Sequence, residues 1–310
     1  MNTPLKRRSL VSLCDLTAEE LKQILDLAAA VKRSPTDYRG AFTGRTLAMI
    51  FQKPSLRTRV SFETGMTQMG GHAIYLSPTD ISLGKRETTE DIAIVLSRYV
   101  DLIMARTFGH DIVEDLARHA TVPVINGLSD FVHPCQILAD LQTILERKSR
   151  LEGLKLIYSG DGNNVAHSLM FGGALSGMHV SIVTPPGYEP QPESLAKSRA
   201  MAESTGGSVT VTNDLKAAAN GADVIYTDVW ASMGQESDAE NRKKFFSPYQ
   251  VNAELIARAD PACIVLHCLP AHYDEEITYE VTRSSHSAIF DQAENRLHAQ
   301  KALMLALAAN

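Results

Sequence analysis

Apolar positions along this chain fall into two patterns, and the two alternate. Short unbroken apolar runs read as buried strands: RTLAMIF (45–51), HAIYL (72–76), VDLIMAR (100–106) and VPVIN (122–126). Between them lie stretches with helical spacing. In DLTAEELKQILDLAAAVKRS (15–34), Leu21, Ile24, Leu25 and Ala28 make one apolar stripe, Asp15 or Thr17 can cap it, and Glu19 and Glu20 suit its first turn. The segment from Ser55 to Met69 reads as a helix stopped by Gly70-Gly71. ETTEDIAIVLSRY (87–99), DIVEDLARHA (111–120) and HPCQILADLQTILER (133–147) read as three more, with Pro134 fitting the first turn of the last.

The polar stretch KSRLEG (148–153) is the expected domain boundary, separating residues 1–147 from 148–310. A second series follows: strand LKLIYSG, a helix from about Asn163, strand HVSIVTP, a helix around 190–204, and strands SVTVTND, ADVIYTD and CIVLHCLP. The chain closes on AENRLHAQKALMLALAA, a helix with an apolar face. Strands alternating with helices predict an α/β protein of two domains, each a mainly parallel sheet flanked by helices. A length of 310 residues agrees with two cores rather than one. No internal repeat beyond the two halves and no low-complexity tract is present.

Ligands of such sheets bind beyond the carboxyl ends of the strands. There the sequence places KPSLRTR, ART, NGLSDFVHPCQ, GDGNN, TDVWASMG and HCLP, which points to an enzyme. In SLRTR, Ser55, Arg57, Thr58 and Arg59 crowd the start of a helix whose dipole already makes that end positive. An anion such as phosphate resolves the conflict, held by backbone N–H groups, hydroxyls and arginines; a capping serine followed by solvated arginines is the plain alternative. Arg106 ends a strand. His133 and Gln136 lie one helical turn apart and can face one ligand, His133 as donor to a developing oxyanion. GDGNNV has two of the three glycines of a dinucleotide fingerprint, with Val165 at the third place, so Asn163 and Asn164 read better as polar contacts. Asp228, at a strand end, can bind an ammonium group or cap a turn. Cys268 can be a nucleophile, a polar contact or a structural thiol.

Net charge is −6, from 30 basic and 36 acidic residues, which argues against nucleic acid and for a small anionic ligand at the local basic cluster. The four cysteines, Cys14, Cys135, Cys263 and Cys268, show no disulfide or zinc spacing, so a reducing compartment and no metal are expected. No apolar run suits a signal peptide or a membrane helix, and a cytoplasmic location is the expectation.

Taken in order, SLRTR, HPCQ, DGNN, DVWASMG, HCLP and AENR resemble the aspartate/ornithine carbamoyltransferases, its ornithine branch above all, across nearly the whole chain. The resemblance implies a carbamoyl-phosphate domain followed by an ornithine domain, with the final helix (about 291–308) crossing back to the first. It implies carbamoyl transfer from carbamoyl phosphate to the side-chain amine of L-ornithine, giving citrulline and phosphate. No cofactor is implied, and a homotrimer is. By similarity, Ser55, Arg57, Thr58 and the backbone of Leu56 hold the phosphate. Arg106, His133, Gln136 and Arg296 meet the carbamoyl group, and Asn164, Asp228, Ser232 and Met233 bind ornithine. Cys268, with the backbone of Leu269, lines the amine's path. The catalytic set is Arg57, Arg106, His133, Asp228 and Cys268. Leu56 stands where the family usually has Thr. Ser82 stands where Gln or His often reaches a neighbouring subunit's carbamoyl phosphate. AHYDEEIT lacks the HRG that often follows HCLP in the family. The alternatives are a relative carbamoylating putrescine or an N-acylated ornithine, a non-catalytic anion-binding protein, and a dinucleotide oxidoreductase.

Overall fold

The structure is a computed structural model that describes Leu5 and residues 8–81, 87–231 and 236–308. The chain divides into two compact units, one of residues 1–142 with 294–310, the other of residues 143–293. Each is a wholly parallel sheet flanked by helices, as the alternating pattern predicts.

In the first unit, strands β1 (Thr46–Phe51), β2 (His72–Leu76), β3 (Leu102–Arg106) and β4 (Val124–Leu128) lie in the order β2-β1-β3-β4. Its helices are α1 (Ala18–Arg33), α2 (Leu56–Gln68), α3 (Pro78–Ile81), α4 (Thr89–Leu96) and α5 (His110–His119), and α6 (Pro134–Lys148) runs over the division between units. Thr17, not Asp15, caps α1. Its hydroxyl accepts from the Glu20 N–H at 3.2 Å, and Glu20 Oε2 accepts from the Thr17 N–H at 2.8 Å. This reciprocal box is worth about 1 kcal/mol and sets the rotation that buries Leu21, Ile24, Leu25 and Ala28. Strand β4 begins two residues later than VPVIN predicts. Pro123 has no N–H to give, and only its carbonyl joins the ladder, accepting from Ile103 N–H at 3.0 Å. The helix expected over 87–99 is shorter, capped by Thr88 and ended at Leu96. Ile50, Ile103, Val113 and Leu116 are among the buried residues of one core cluster.

In the second unit, β5 (Lys155–Ser159), β6 (His179–Val183), β7 (Ser208–Thr212), β8 (Val224–Thr227) and β9 (Ile264–His267) lie in the order β7-β6-β5-β8-β9. The helices are α7 (Asn164–Leu175), α8 (Pro192–Thr205), α9 (Leu215–Ala219), α10 (Ala239–Phe246), α11 (Ala253–Ile256) and α12 (Tyr279–Arg283). Ile157, Ile225, Val265 and Ile277 centre its core.

Helix α13 (Ile289–Ala308) starts earlier than the pattern predicts, because Ile289 is anchored in the second unit's core. From Glu294 on it belongs to the first unit, the return the resemblance implied. There Asn295 Oδ1 accepts from Lys32 of α1 at 2.8 Å, Gln300 Nε2 donates to Ser61 of α2 at 2.8 Å, and Arg296 Nη1 donates to Gln136 of α6 at 2.7 Å. Gly65 of α2 has no side chain to crowd Met304 and Lys301. Among the described residues, no helix is long and apolar enough to cross a membrane.

Both strand orders contain a reversal point. In the first unit the chain leaves β1 toward one side and returns to its other side as β3, so a crevice opens past the ends of β1 and β3. In the second unit the reversal lies between β5 and β8. Open parallel sheets bind ligands at these crevices.

Gly162 sits at the second reversal point for a steric reason. A Cβ there would lie 2.3 Å from Pro190 N and 2.6 Å from Tyr188 O, both backbone atoms. Gly162→Ala is therefore expected to destabilise the protein by about 1–3 kcal/mol, read as a lower urea midpoint with an unchanged m-value.

Candidate active site

The first crevice gathers positive charge. Phe51 and Arg106 are register partners in the β1–β3 ladder, so the two strand ends finish level. Beyond β1, Ser55 caps α2, its hydroxyl accepting from the Thr58 N–H at 3.3 Å. Leu56 follows as the first helical residue with a side chain 75% exposed, so what it offers at this helix start is its backbone N–H. Arg57 is half-buried and Thr58 buried. Arg59 turns away: its guanidinium stacks 3.9 Å from the Tyr75 ring centroid and pairs with Glu63 at 3.0 Å. The plain reading of a solvated arginine holds for Arg59.

Arg106, at the end of β3, is buried, as are His133, Gln136 and Arg296. Burial lowers the His133 imidazole well below its ordinary 6.5, and the guanidiniums of Arg296, Arg106 and Arg57 lower it further. Three arginines from β3, α2 and α13 therefore surround one neutral histidine at the start of α6. Lys53 adds to the field. Its ammonium lies 4.4 Å from the Phe108 ring centroid, and burial, then Arg106, lowers its pKa. Arg296 fixes the neighbouring side chains: Nη1 donates to Gln136 Oε1 at 2.7 Å, Nε to Gln300 Oε1 at 3.0 Å, and Nη2 to Thr58 Oγ1 at 3.4 Å. Gln136 in turn donates to Asp140 at 2.8 Å. Cys135 is structural. Its thiol meets Asn126 O at 3.3 Å, and burial pushes its pKa up to about 12, keeping it protonated.

The second crevice gathers acceptors. Asn163 caps α7, its Oδ1 accepting from the N–H groups of Val165 and Ala166. Its Nδ2 donates to Asp228 Oδ2 at 3.2 Å, linking the exits of β5 and β8. Asp228 Oδ1 accepts from Cys268 Sγ at 2.9 Å and from Val229 N–H at 2.8 Å. Asn164 opens α7 half-buried beside this cluster. Leu269 has a left-handed φ of 57° and donates its N–H to His267 Nδ1 at 2.9 Å. His267 Nε2 meets Glu276 Oε1 at 3.0 Å, so both ring nitrogens are in use. Asp228, His267 and Cys268 present ligand atoms within 4.8 Å of one another. A metal there would have to displace the thiol–carboxylate bond and one of the histidine's bonds.

The structure thus brings Ser55, Arg57, Thr58, Arg106, His133, Gln136 and Arg296 into the first unit's cluster, and Asn163, Asp228 and Cys268 into the second's. Ser82, Ser232 and Met233 lie outside the described residues. The sequence pattern places Lys53 in KPSLRTR but gives it no role, and it passes over Asp140 and Arg242. Asp140 was the one with a local signal, a carboxylate one turn beyond Gln136 on an apolar helix face.

Known proteins with this arrangement decide the family. The model described as "Aspartate/ornithine carbamoyltransferase, carbamoyl-P binding domain" matches residues 8–146, and the Asp/Orn binding domain model matches residues 152–307. The chain belongs to the aspartate/ornithine carbamoyltransferase family. An ornithine carbamoyltransferase of Thermococcus kodakarensis is 56% identical over 98% of this chain and 97% of its own length. The ornithine carbamoyltransferase structure from Pyrococcus furiosus superposes with a TM-score of 0.96 at 53% identity, covering 99% of each chain. That from Gloeobacter violaceus gives 0.89 at 46% identity, covering 98% of this chain and 99% of its own. The carbamoyltransferase family accounts for the incomplete glycine pattern of GDGNNV, which in this fold is a helix start and not a dinucleotide cradle.

The buried histidine has a measurable signature. Unfolded, the imidazole takes up a proton near its ordinary 6.5; folded, it does so only well below that. Between the two values the unfolded chain binds more protons, so stability falls as pH drops below 6.5. One such group contributes a slope of up to about 1.4 kcal/mol per pH unit. In urea titrations, His133→Asn is expected to lose stability less steeply than the parent between about pH 6.5 and 5.

Proposed function

We propose that the protein is an ornithine carbamoyltransferase that carries the carbamoyl group of carbamoyl phosphate to the side-chain amine of L-ornithine, releasing citrulline and phosphate in arginine biosynthesis. The observation that carries this reading is the convergence of Arg57, Arg106 and Arg296 on neutral His133, in a chain 56% identical to a curated ornithine carbamoyltransferase. A relative from Pyrococcus furiosus, 54% identical, is named the anabolic enzyme, which supports the biosynthetic direction.

The phosphate sits on the start of α2, held by the N–H groups of that turn, including that of Leu56, and by Ser55, Arg57 and Thr58. The carbamoyl carbonyl faces Arg106 and His133; Gln136 and Arg296 hold the rest of the group. His133 acts as a neutral hydrogen-bond donor, a role its low pKa preserves across the neutral range. Ornithine binds Asn164, Asp228, Ser232 and Met233, and its side-chain amine approaches past Cys268 and the Leu269 backbone. An alkylammonium has a pKa near 10.4 and must lose a proton before it attacks. The Asp228 carboxylate, bonded to the Cys268 thiol at 2.9 Å, stands where it can accept that proton. The amine nitrogen then bonds to the carbamoyl carbon, the oxyanion meets Arg57, Arg106 and His133, the carbon–oxygen bond to phosphate breaks, and the departing phosphate takes the proton that the nitrogen sheds. Positioning and electrostatics supply the catalysis.

Residues 1–147 form the carbamoyl-phosphate domain and 148–310 the ornithine domain, with the final helix returning to the first. The enzyme assembles as a homotrimer. Exposed Leu56, Val60 and Ile74, the last on edge strand β2, support such an assembly. Four free cysteines support a cytoplasmic location.

The test is citrulline formation from carbamoyl phosphate with L-ornithine, putrescine and N-acetylornithine compared at equal concentrations. Turnover with ornithine far above the others is expected. Preference for either of the others overturns the amine assignment, and no turnover at all overturns the enzyme. Arg57→Gln is expected to lower kcat by about 10²–10³-fold, the usual loss for one oxyanion donor, with the thermal midpoint within a few degrees of the parent.

A further inference from the structure

A buried ion pair spans the second unit's reversal point, beside the Asp228 cluster but outside it. Arg242, on α10, donates through Nη1 to Asp161 Oδ2 at 2.9 Å and to the carbonyl of Trp230 at 2.8 Å. Asp161 ends the β5 exit and Trp230 belongs to the β8 exit. The guanidinium carbon lies 5.1 Å from the Tyr188 ring centroid and 5.8 Å from that of Phe246. Side-chain exposures are 10% for Arg242 and 13% for Asp161. A pair this buried is weak evidence for stability, because desolvation offsets most of its attraction and apolar replacements do as well. What it supplies is geometry. One planar cation ties the two exits together at the carboxylate and at the carbonyl. Two residues further along one exit and two residues back along the other, Asn163 donates to Asp228 at 3.2 Å. Both bridges join the same two exits.

We propose that Arg242 is a positioning residue for the amine substrate: by clamping Asp161 to the Trp230 carbonyl it holds Asn163, Asn164 and Asp228 at the spacing that binds ornithine. This rests on the reading that ornithine occupies that cluster. A lysine cannot replace the clamp. Both acceptors are met by Nη1, but an ammonium has no flat guanidinium face to lie against Tyr188 and Phe246 and hold that nitrogen in place.

The experiment uses the full-length enzyme with Arg242→Lys, Arg242→Gln, Asp161→Asn and the Arg242→Gln/Asp161→Asn double variant. KM for L-ornithine, KM for carbamoyl phosphate, kcat and the thermal midpoint are measured well below the midpoint. Each single variant is expected to raise the ornithine KM by about tenfold or more, the scale of a displaced binding group, and to leave the carbamoyl-phosphate KM within about twofold. The double variant carries no uncompensated buried charge, so its midpoint should recover toward the parent while its ornithine KM stays high. Where a single variant fails to fold, the double variant carries the test alone. Lower midpoints with an unchanged ornithine KM, or both KM values rising together, overturn the proposal. So does an ornithine KM restored in the double variant or kept in Arg242→Lys. Parent enzyme that makes no citrulline is a failure of the functional reading instead, and is separable from these outcomes.

Discussion

Positive charge confined near a helix start is the constraint around which the first unit is built. Arg57, Arg106 and Arg296 all press on His133, and Lys53 is pressed in turn by Arg106. Like charges in one crevice oppose folding, and the start of α2 adds its own partial positive charge. Such an arrangement is tolerable because each cation is tied down from a different element. Arg106 ends a central strand, Arg57 sits in the first turn of α2, and Arg296 is bonded to Gln136, Gln300 and Thr58. A dianion bound there relieves the repulsion, so ligand binding and the stability of this unit are linked. The neutral imidazole is the other consequence of the same field. A histidine this deep among guanidiniums gives up its proton and remains a donor without adding charge.

The second unit uses the same architecture with the opposite polarity. Its reversal point presents Asp161 and Asp228 where the first presents arginines. Asp161 is paired with Arg242, whereas among the described residues the donors to Asp228 are weak or uncharged: a thiol, an amide and a backbone N–H. That difference leaves one carboxylate available to an ammonium group. Two parallel α/β units, each with a reversal point and of opposed charge there, suit a reaction between a phosphorylated and an aminated substrate.

Most of this was legible in the chain because periodicity and caps are local. Thr17 and Glu20, Ser55 before α2 and Asn163 before α7 announced helix starts, and apolar runs announced the described strands to within two or three residues of their observed limits. The departures have long-range causes. Strand β4 slides past Pro123 because only its carbonyl can join the ladder, and α13 starts early because Ile289 has a core to enter. The candidate site follows the same division. Residues in motifs at strand ends were readable. Arg242 was not, because it lies in a polar helix and gains meaning only from Asp161, 81 positions away. Arg59 shows the converse error, a residue inside a conspicuous motif that points elsewhere.

The Leu56 position shows why the proposed phosphate site can carry a change that a motif comparison flags. A helix start binds an anion through backbone N–H groups, which every residue but proline supplies. Ser55 is fixed by its cap to Thr58, and Thr58 is buried and bonded to Arg296, so these hydroxyls have defined neighbours. The side chain between them projects into solvent at 75% exposure. A hydroxyl at that place would face water or another copy of the chain. The backbone geometry that presents the amide is set by the cap before it and the buried threonine after it, neither of which depends on the side chain in between.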